Sequence, residues 1–217
     1  EVFENTLSID LKQFSLWYSQ KGRPIVQVTS TYKQGTFTME FSQKNGLKSI
    51  KDSKPMLIPI NIGLISQKGE EIQETKTFLL KKRKQSLIFK NLISKPIPST
   101  LRDFSAPITL VEDLQDEELH VLGAHDKNLF NRWSALRRLS FESIEKFIVS
   151  DSPFSTPLLS NIKKVLCSNN FSHAYKVLVA TPPNVQDNLT YLSKKGKIVE
   201  PLKIHAAVYH FTKELFV

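Results

Sequence analysis

From Ile25 the apolar residues recur at every second position. Val26 and Val28 alternate with Gln27 and Thr29; after a turn at Lys33, Gln34 and Gly35, Phe37, Met39 and Phe41 alternate with Thr36, Thr38, Glu40 and Ser42. That period predicts a β-hairpin with one wet face. A polar loop, Lys44 to Lys54, comes next. Ile58, Ile60, Ile62 and Leu64 then line one face of a strand in which Pro59 marks an edge or a strand start. Gly69 turns the chain into a strand from Thr75 to Leu80, and Leu87 with Phe89 makes a shorter one. Pro96 and Pro98 are expected to bound a loop. Ile108 and Leu110, alternating with Thr109 and Val111, form the last strand. Six or seven short strands at turn-marked spacing imply a small immunoglobulin-like antiparallel β-sandwich.

The period changes inside Phe104 to Leu139. Asp116 is expected to cap a short helix carrying Leu119 and Leu122, and Asp126 a long one from Lys127 to about Val149 with Phe130, Trp133, Leu136, Ile144 and Phe147. Thr156 and Pro157 start the next helix, with Leu158, Leu159, Ile162, Val165 and Leu166 as its stripe. A helix from Ser172 halts before Pro182 and Pro183, another carries Leu189 and Leu192 to Gly196, and the last begins near Pro201 with Ile204, Val208, Phe211 and Leu215 on one face. Short Pro and Asn turns between successive helices predict an antiparallel α-helical array. Ahead of the strands, Leu11, Phe14, Trp17 and Tyr18 share a helical face that ends at Gly22 and Pro24. The fold class is therefore multidomain, β then α.

Charge refines this picture in one respect. Residues 1–103 hold 17 Lys and Arg against 9 Asp and Glu, whereas residues 104–217 hold 13 against 12. The β half carries nearly all of the net +9, densest at Lys81, Lys82, Arg83 and Lys84. A basic surface can hold nucleic acid or another acidic partner. No aromatic residues interleave with this run to stack bases, so a solvated lysine face is the favoured reading and nucleic acid is not an expected partner. No segment has the length and apolarity of a membrane span, so no membrane partner is expected either.

The chemistry of catalysis is missing. His120 and His125, like His205 and His210, are five residues apart, about 140° around a helix, so neither pair shares a face, and His173 stands alone. Asp116, Glu117 and Glu118 sit where carboxylates complement a helix N-terminus. Cys167 is the only cysteine; it excludes an internal disulfide, is expected to be a buried small hydrophobe and suits a reducing compartment. No phosphate-binding or nucleophile-elbow motif occurs. The informative residues are bulky: Phe130, Arg132 and Trp133 near the start of the long helix, with Phe104 to Pro107 rigidifying the approach to the last strand. Arg132 is expected to stack on an aromatic ring or to bond a sandwich loop.

DLKQFSLWYSQKGRPIVQV (Asp10 to Val28), LIPINIGLIS followed by Gly69, and FSAPITL (Phe104 to Leu110) running into HDKNLFNRW (His125 to Trp133) together resemble the bacterial aminopeptidase N family of zinc metallopeptidases. The similarity falls on the part of those enzymes after the catalytic domain. It implies that residues 1–23 are terminal helices of an upstream catalytic domain, that 24–111 are the β-sandwich, and that 112–217 begin the C-terminal helical domain. It also implies a parent that removes N-terminal residues from peptides with a zinc held by two His and a Glu, all upstream of Glu1. No catalytic, metal or substrate-binding residue carries over, and zinc belongs to the parent alone. The implied partners are the catalytic domain and remaining helices of the same parent chain, in the cytoplasm. Trp17, Phe104, Pro107, Phe130, Arg132 and Trp133 are the candidate interdomain packing residues. Both ends look cut from something longer, so Trp17, Phe211 and Leu215 are expected to face missing neighbours. The alternative is a stand-alone basic binding or scaffold module.

Overall fold

The computed structural model describes residues 6, 10–47 and 53–216, which divide between two units, Glu1–Leu114 and Gln115–Val217. The expected N-terminal helix over 1–5 and 7–9, and loop residues 48–52, lie outside the described residues.

In the first unit the alternating segments pair as their pattern demands. Strands β1 (Pro24–Lys33) and β2 (Thr36–Asn45) are joined by Gln34 and Gly35, whose φ values of 46° and 74° make the left-handed two-residue turn that suits strand twist. Strands β3 (Ile58–Ile65), β4 (Glu71–Leu80), β5 (Lys84–Phe89), β6 (Ile97–Thr100) and β7 (Thr109–Glu112) complete two sheets, ordered β5-β2-β1-β7 and β4-β3-β6. Val26 and Val28, Phe37, Met39 and Phe41 from one sheet meet Ile58, Ile60, Ile62, Phe78 and Leu80 from the other in a dry core.

Two local expectations change. Ile97–Thr100 is a strand, not part of a loop: Pro98 pairs with Leu64 on the outer edge of the three-stranded sheet, where a missing N–H costs nothing. Strand β7 runs parallel to β1, with Ile25 opposite Thr109, because the chain returns from the other sheet rather than through a hairpin. Strand β3 is central, and Pro59 stands at its start, one of the two places expected for it. Strand β6 covers only Ile62 to Ile65; beside Pro59 the Ser105 hydroxyl takes over, donating to the Pro59 carbonyl at 3.2 Å and accepting the Asn61 N–H at 2.9 Å.

Helix α1 (Leu16–Ser19) is short, and side chains around it strap the N-terminal segment to the sandwich. Gln13 donates to the carbonyls of Pro55 (3.1 Å) and Lys81 (2.6 Å), Trp17 donates its indole N–H to Leu57 (2.9 Å), and Gln20 exchanges two hydrogen bonds with Lys54. Trp17, expected to face missing neighbours, is half-buried against the sandwich core.

The least predictable feature of the sandwich is Arg102, which is 2% exposed. Its Nε donates to Ser99 at 2.9 Å, and one terminal nitrogen reaches Glu71 at 2.7 Å and Thr75 at 3.0 Å. The guanidinium occupies the place where a side chain at Gly63 would stand: a Cβ there would lie 2.1 Å from Cζ. Leu101, Asp103 and Phe104 flank it with φ of 63°, 58° and 50°, a conformation unfavourable for such residues.

The regular elements among the second unit's described residues are helices: α2 (Asp116–His125), α3 (Leu129–Ser150), α4 (Thr156–Cys167), α5 (His173–Ala180), α6 (Val185–Lys194) and α7 (Pro201–Phe216). Two caps differ from expectation. Gln115, not Asp116, precedes α2, and its N–H is accepted by the Glu118 carboxylate at 3.1 Å. Asn128, not Asp126, caps α3 by accepting the Asn131 N–H at 3.2 Å. Asp126 instead is fully buried and accepts the Asn128 N–H at 2.9 Å, two residues nearer the helix. Phe211 and Leu215, expected to face missing neighbours, are buried within the unit, Phe211 edge-on to Phe154 at 5.2 Å.

Gly63→Ala is expected to expel the Arg102 guanidinium and destabilise the sandwich by about 3 kcal/mol, because it combines overpacking with a broken buried ion pair. The midpoint of urea unfolding measures it.

Candidate functional site: the charged seam of the helical unit

The densest group of ionisable side chains described in the helical unit surrounds an open cavity of about 320 Å³ lined by Asp116, Glu142, Glu145, Lys146, Val149, Ser150, Lys195 and Lys197. Helix α2 supplies Asp116 from its first turn. Helix α3 supplies the acidic and basic residues one turn apart, and the turn after α6 supplies the remaining lysines. Lys146 lies 3.3 Å from Asp116, and Arg138 lies 3.4 Å from Glu142 one turn earlier on α3. Glu145 is gripped by two ammonium groups, Lys195 and Lys197, each at 2.5 Å. Burial alone would raise the Glu145 carboxyl, but those two lysines hold it below the usual glutamate range.

An aromatic ladder continues from this seam along α3 and α6. Lys195 sits 4.4 Å from the Tyr191 ring, Tyr191 stacks on Phe141 at 4.8 Å, and Arg137 lies over both Phe141 (5.3 Å) and Trp133 (5.5 Å). Arg137 also pairs with Asp187 at 2.8 Å. Most of these charges are answered by an opposite charge or a ring face, so the seam is built to hold helices together. None of its carboxylates is positioned on a nucleophile. Among the described residues no group of three His, Cys, Asp or Glu comes together in the manner of metal ligands.

Two consecutive family descriptions match the chain. Residues 22–113 match DUF3458, a domain of unknown function with an Ig-like fold, and residues 116–216 match its C-terminal companion, described as ARM repeats. Curated relatives named Aminopeptidase N match most of the chain: that of Escherichia coli K12 is 27% identical over 94% of this chain and 25% of its own length, and that of Caulobacter vibrioides is 29% identical over 96% and 24%. The chain belongs to the DUF3458 region of the aminopeptidase N family. It spans about a quarter of the length of these relatives. The fold is shared with the solved structure of Legionella pneumophila aminopeptidase A in complex with aspartic acid, at a TM-score of 0.82 and 24% identity over 98% of this chain and 24% of that one.

Within this family fold the candidate packing residues fall into three groups. Phe130 and Trp133 are half-buried, their rings 5.8 Å apart, and Arg132 lies 5.0 Å over the Phe171 ring while donating to the Asp126 carbonyl at 3.0 Å. Phe104 is 45% exposed in its left-handed conformation and Pro107 is exposed. Trp17 belongs to the strap on the sandwich. Cys167 is exposed, not buried: it lies two residues past buried Val165, about 200° around α4 from the stripe. The basic run 81–84 spans the β4–β5 turn and the first residue of β5; in the turn Arg83 donates to the Ser53 carbonyl and Gln43 donates to the Lys82 carbonyl at 3.0 Å. No described helix is long and apolar enough to cross a membrane. Sequence reasoning missed the Glu145–Lys195–Lys197 clamp because its members are about fifty residues apart; the only local hint was two lysines flanking Gly196.

Glu145→Gln is expected to cost about 1 kcal/mol near neutral pH, a modest figure because both lysines are partly exposed. A carboxyl held low in the folded state adds stability above its ordinary pKa of 4.5 and loses it as pH falls through the depressed value. The difference in melting temperature between parent and variant should therefore close on acidification.

Proposed function

We propose that this chain is a non-catalytic region of an aminopeptidase N, positioning and enclosing an active site carried elsewhere in the parent. The observation that carries this reading is the unbroken succession of the two family matches over 22–113 and 116–216, coupled with relatives of that name matched over nearly all of this chain and only a quarter of their own. The seam supports it too, since its charges are spent on one another.

In this reading the parent removes N-terminal residues from peptides with a zinc ion bound by residues outside 1–217. The partners of this chain are the catalytic domain and further helices of the same polypeptide, in the cytoplasm. Trp17, Phe104, Pro107, Phe130, Arg132 and Trp133 serve packing between domains of the parent. Residues 24–111 act as the spacer and 112–217 as the start of the helical enclosure.

Assayed alone on an alanyl chromogenic substrate with added zinc, the chain is expected to show no turnover. Saturable, chelator-sensitive hydrolysis by the purified chain would overturn the proposal.

A further inference from the structure

A strand at the edge of a sheet presents a row of main-chain donors and acceptors that a further strand can take up, unless shortness, bulges or proline blunt it. Among the described residues the two sheets of the sandwich have four edge strands, and three of them are blunted. Strands β6 and β7 are four residues long, with Pro98 inside β6, and β4 is interrupted by two register shifts against β3. Strand β5 is different. It has six residues without proline or glycine, in unbroken register with β2 from Phe89 opposite Phe37 to Lys84 opposite Ser42.

One bond fixes which way the main chain of β5 points. The Gln43 N–H donates to the Arg83 carbonyl at 2.9 Å, so in this antiparallel register residues 83, 85, 87 and 89 make the bonded pairs with β2. Lys84, Ser86 and Ile88 alternate with them and direct their N–H and carbonyl groups to the open side. All three are exposed, Ile88 at 52%. Among the described residues no main-chain bond from another segment reaches them on that side.

The charge beside this edge is one-sided. Strand β2, the β4–β5 turn and β5 carry Lys44, Lys81, Lys82, Arg83 and Lys84 against a single carboxylate, Glu40. None of these cations is ion-paired among the described residues. On the outer face of the sheet a groove of about 360 Å³ runs in from the edge between Gln27, Thr29, Glu40, Ser42, Lys84 and Ser86. Lysines on an edge repel a second copy of the same edge and attract a strand of opposite charge. A phosphate backbone supplies acceptors only, so a row of alternating donors and acceptors fits a polypeptide and not a nucleic acid.

We propose that the β5 edge takes up an extended acidic segment of another polypeptide as an additional strand. The segment's main chain bonds to Ser86 and Ile88, and its carboxylates are answered by Lys81, Lys82 and Lys84. Main-chain pairing holds the segment, and the cations select its charge. Alternate side chains of the added strand lie beside Ser86 and Ile88 on the outer face, at the mouth of the groove. The inference stands on the sandwich alone and does not depend on the peptidase reading.

The test uses the full chain and a synthetic peptide of alternating glutamate and valine, with a counterpart carrying lysine in place of glutamate. The acidic peptide is expected to slow hydrogen exchange at the Ser86 and Ile88 amides, and the basic counterpart to leave them unchanged. Ser86→Pro removes an outward N–H without touching the bonds to β2, so it should weaken the acidic peptide about tenfold while the urea midpoint stays near the parent's. Lys81→Glu combined with Lys84→Glu should weaken it severalfold and flatten its dependence on salt. The proposal is overturned by unchanged exchange at saturating acidic peptide, or by full affinity in Ser86→Pro. It is equally overturned if the same amides are protected by self-association without peptide, or if a single-stranded oligonucleotide binds more tightly than the acidic peptide at the same salt. Should Ser86→Pro fail to fold, the exchange pattern of the unaltered chain with the two peptides decides the matter.

Discussion

The sandwich depends on one buried cation. A guanidinium withdrawn from water costs several kcal/mol unless its donors are met and its charge opposed. Arg102 satisfies both conditions with Glu71, Thr75 and Ser99, groups from β4 and from the strand just before it. That arrangement explains two otherwise unrelated features. Gly63 lacks a side chain in the middle of a central strand because the guanidinium lies where that side chain would be. Leu101, Asp103 and Phe104 adopt left-handed backbone because the chain must reverse tightly on both sides of the anchor. Strain of about 1 to 3 kcal/mol per residue is tolerated when the surrounding contacts leave the chain no alternative.

The helical unit is held by a different balance. Its apolar stripes, such as Leu158, Ile162 and Val165 on α4 or Ile204, Phe211 and Leu215 on α7, supply the burial. Polar specificity between α3 and α6 comes from cations seated on rings and from Glu145 between two lysines. Such contacts are individually modest, but they fix which face of each helix meets which neighbour. A region whose charges are consumed in this way is suited to support a reaction site and carries few groups poised for chemistry of its own.

Legibility followed distance along the chain. The β1–β2 hairpin was readable because Val26, Val28, Phe37, Met39 and Phe41 alternate across a two-residue turn containing Gly35, and both signals are local. The starts of α4 and α5 were readable from Thr156 with Pro157 and from Ser172 next to apolar periodicity, since such residues act on their own first turn; the Asn184 cap of α6 came from the structure. The caps of α2 and α3 were misplaced by one or two residues, because Gln115, Asp116, Asp126 and Asn128 are all competent acceptors and only the backbone path selects among them. Pro98 in a strand was misread because what decides is whether a neighbour needs the missing N–H, and the neighbour is remote in sequence; Pro59 stands at a strand start, one of its two expected places.

By itself the sequence determined where strands give way to helices, which residues form the dry core, and, through three matched segments, which family the chain belongs to. These follow from side-chain periodicity and turn chemistry, which operate within a few residues. Tertiary structure alone decided the parallel pairing of β7, the burial of Arg102 over Gly63, the exposure of Cys167, and the meeting of Glu145 with Lys195 and Lys197. Each of these joins groups separated by tens of residues or depends on which face of an element is covered, and a charge or a proton is placed by its nearest neighbours in space.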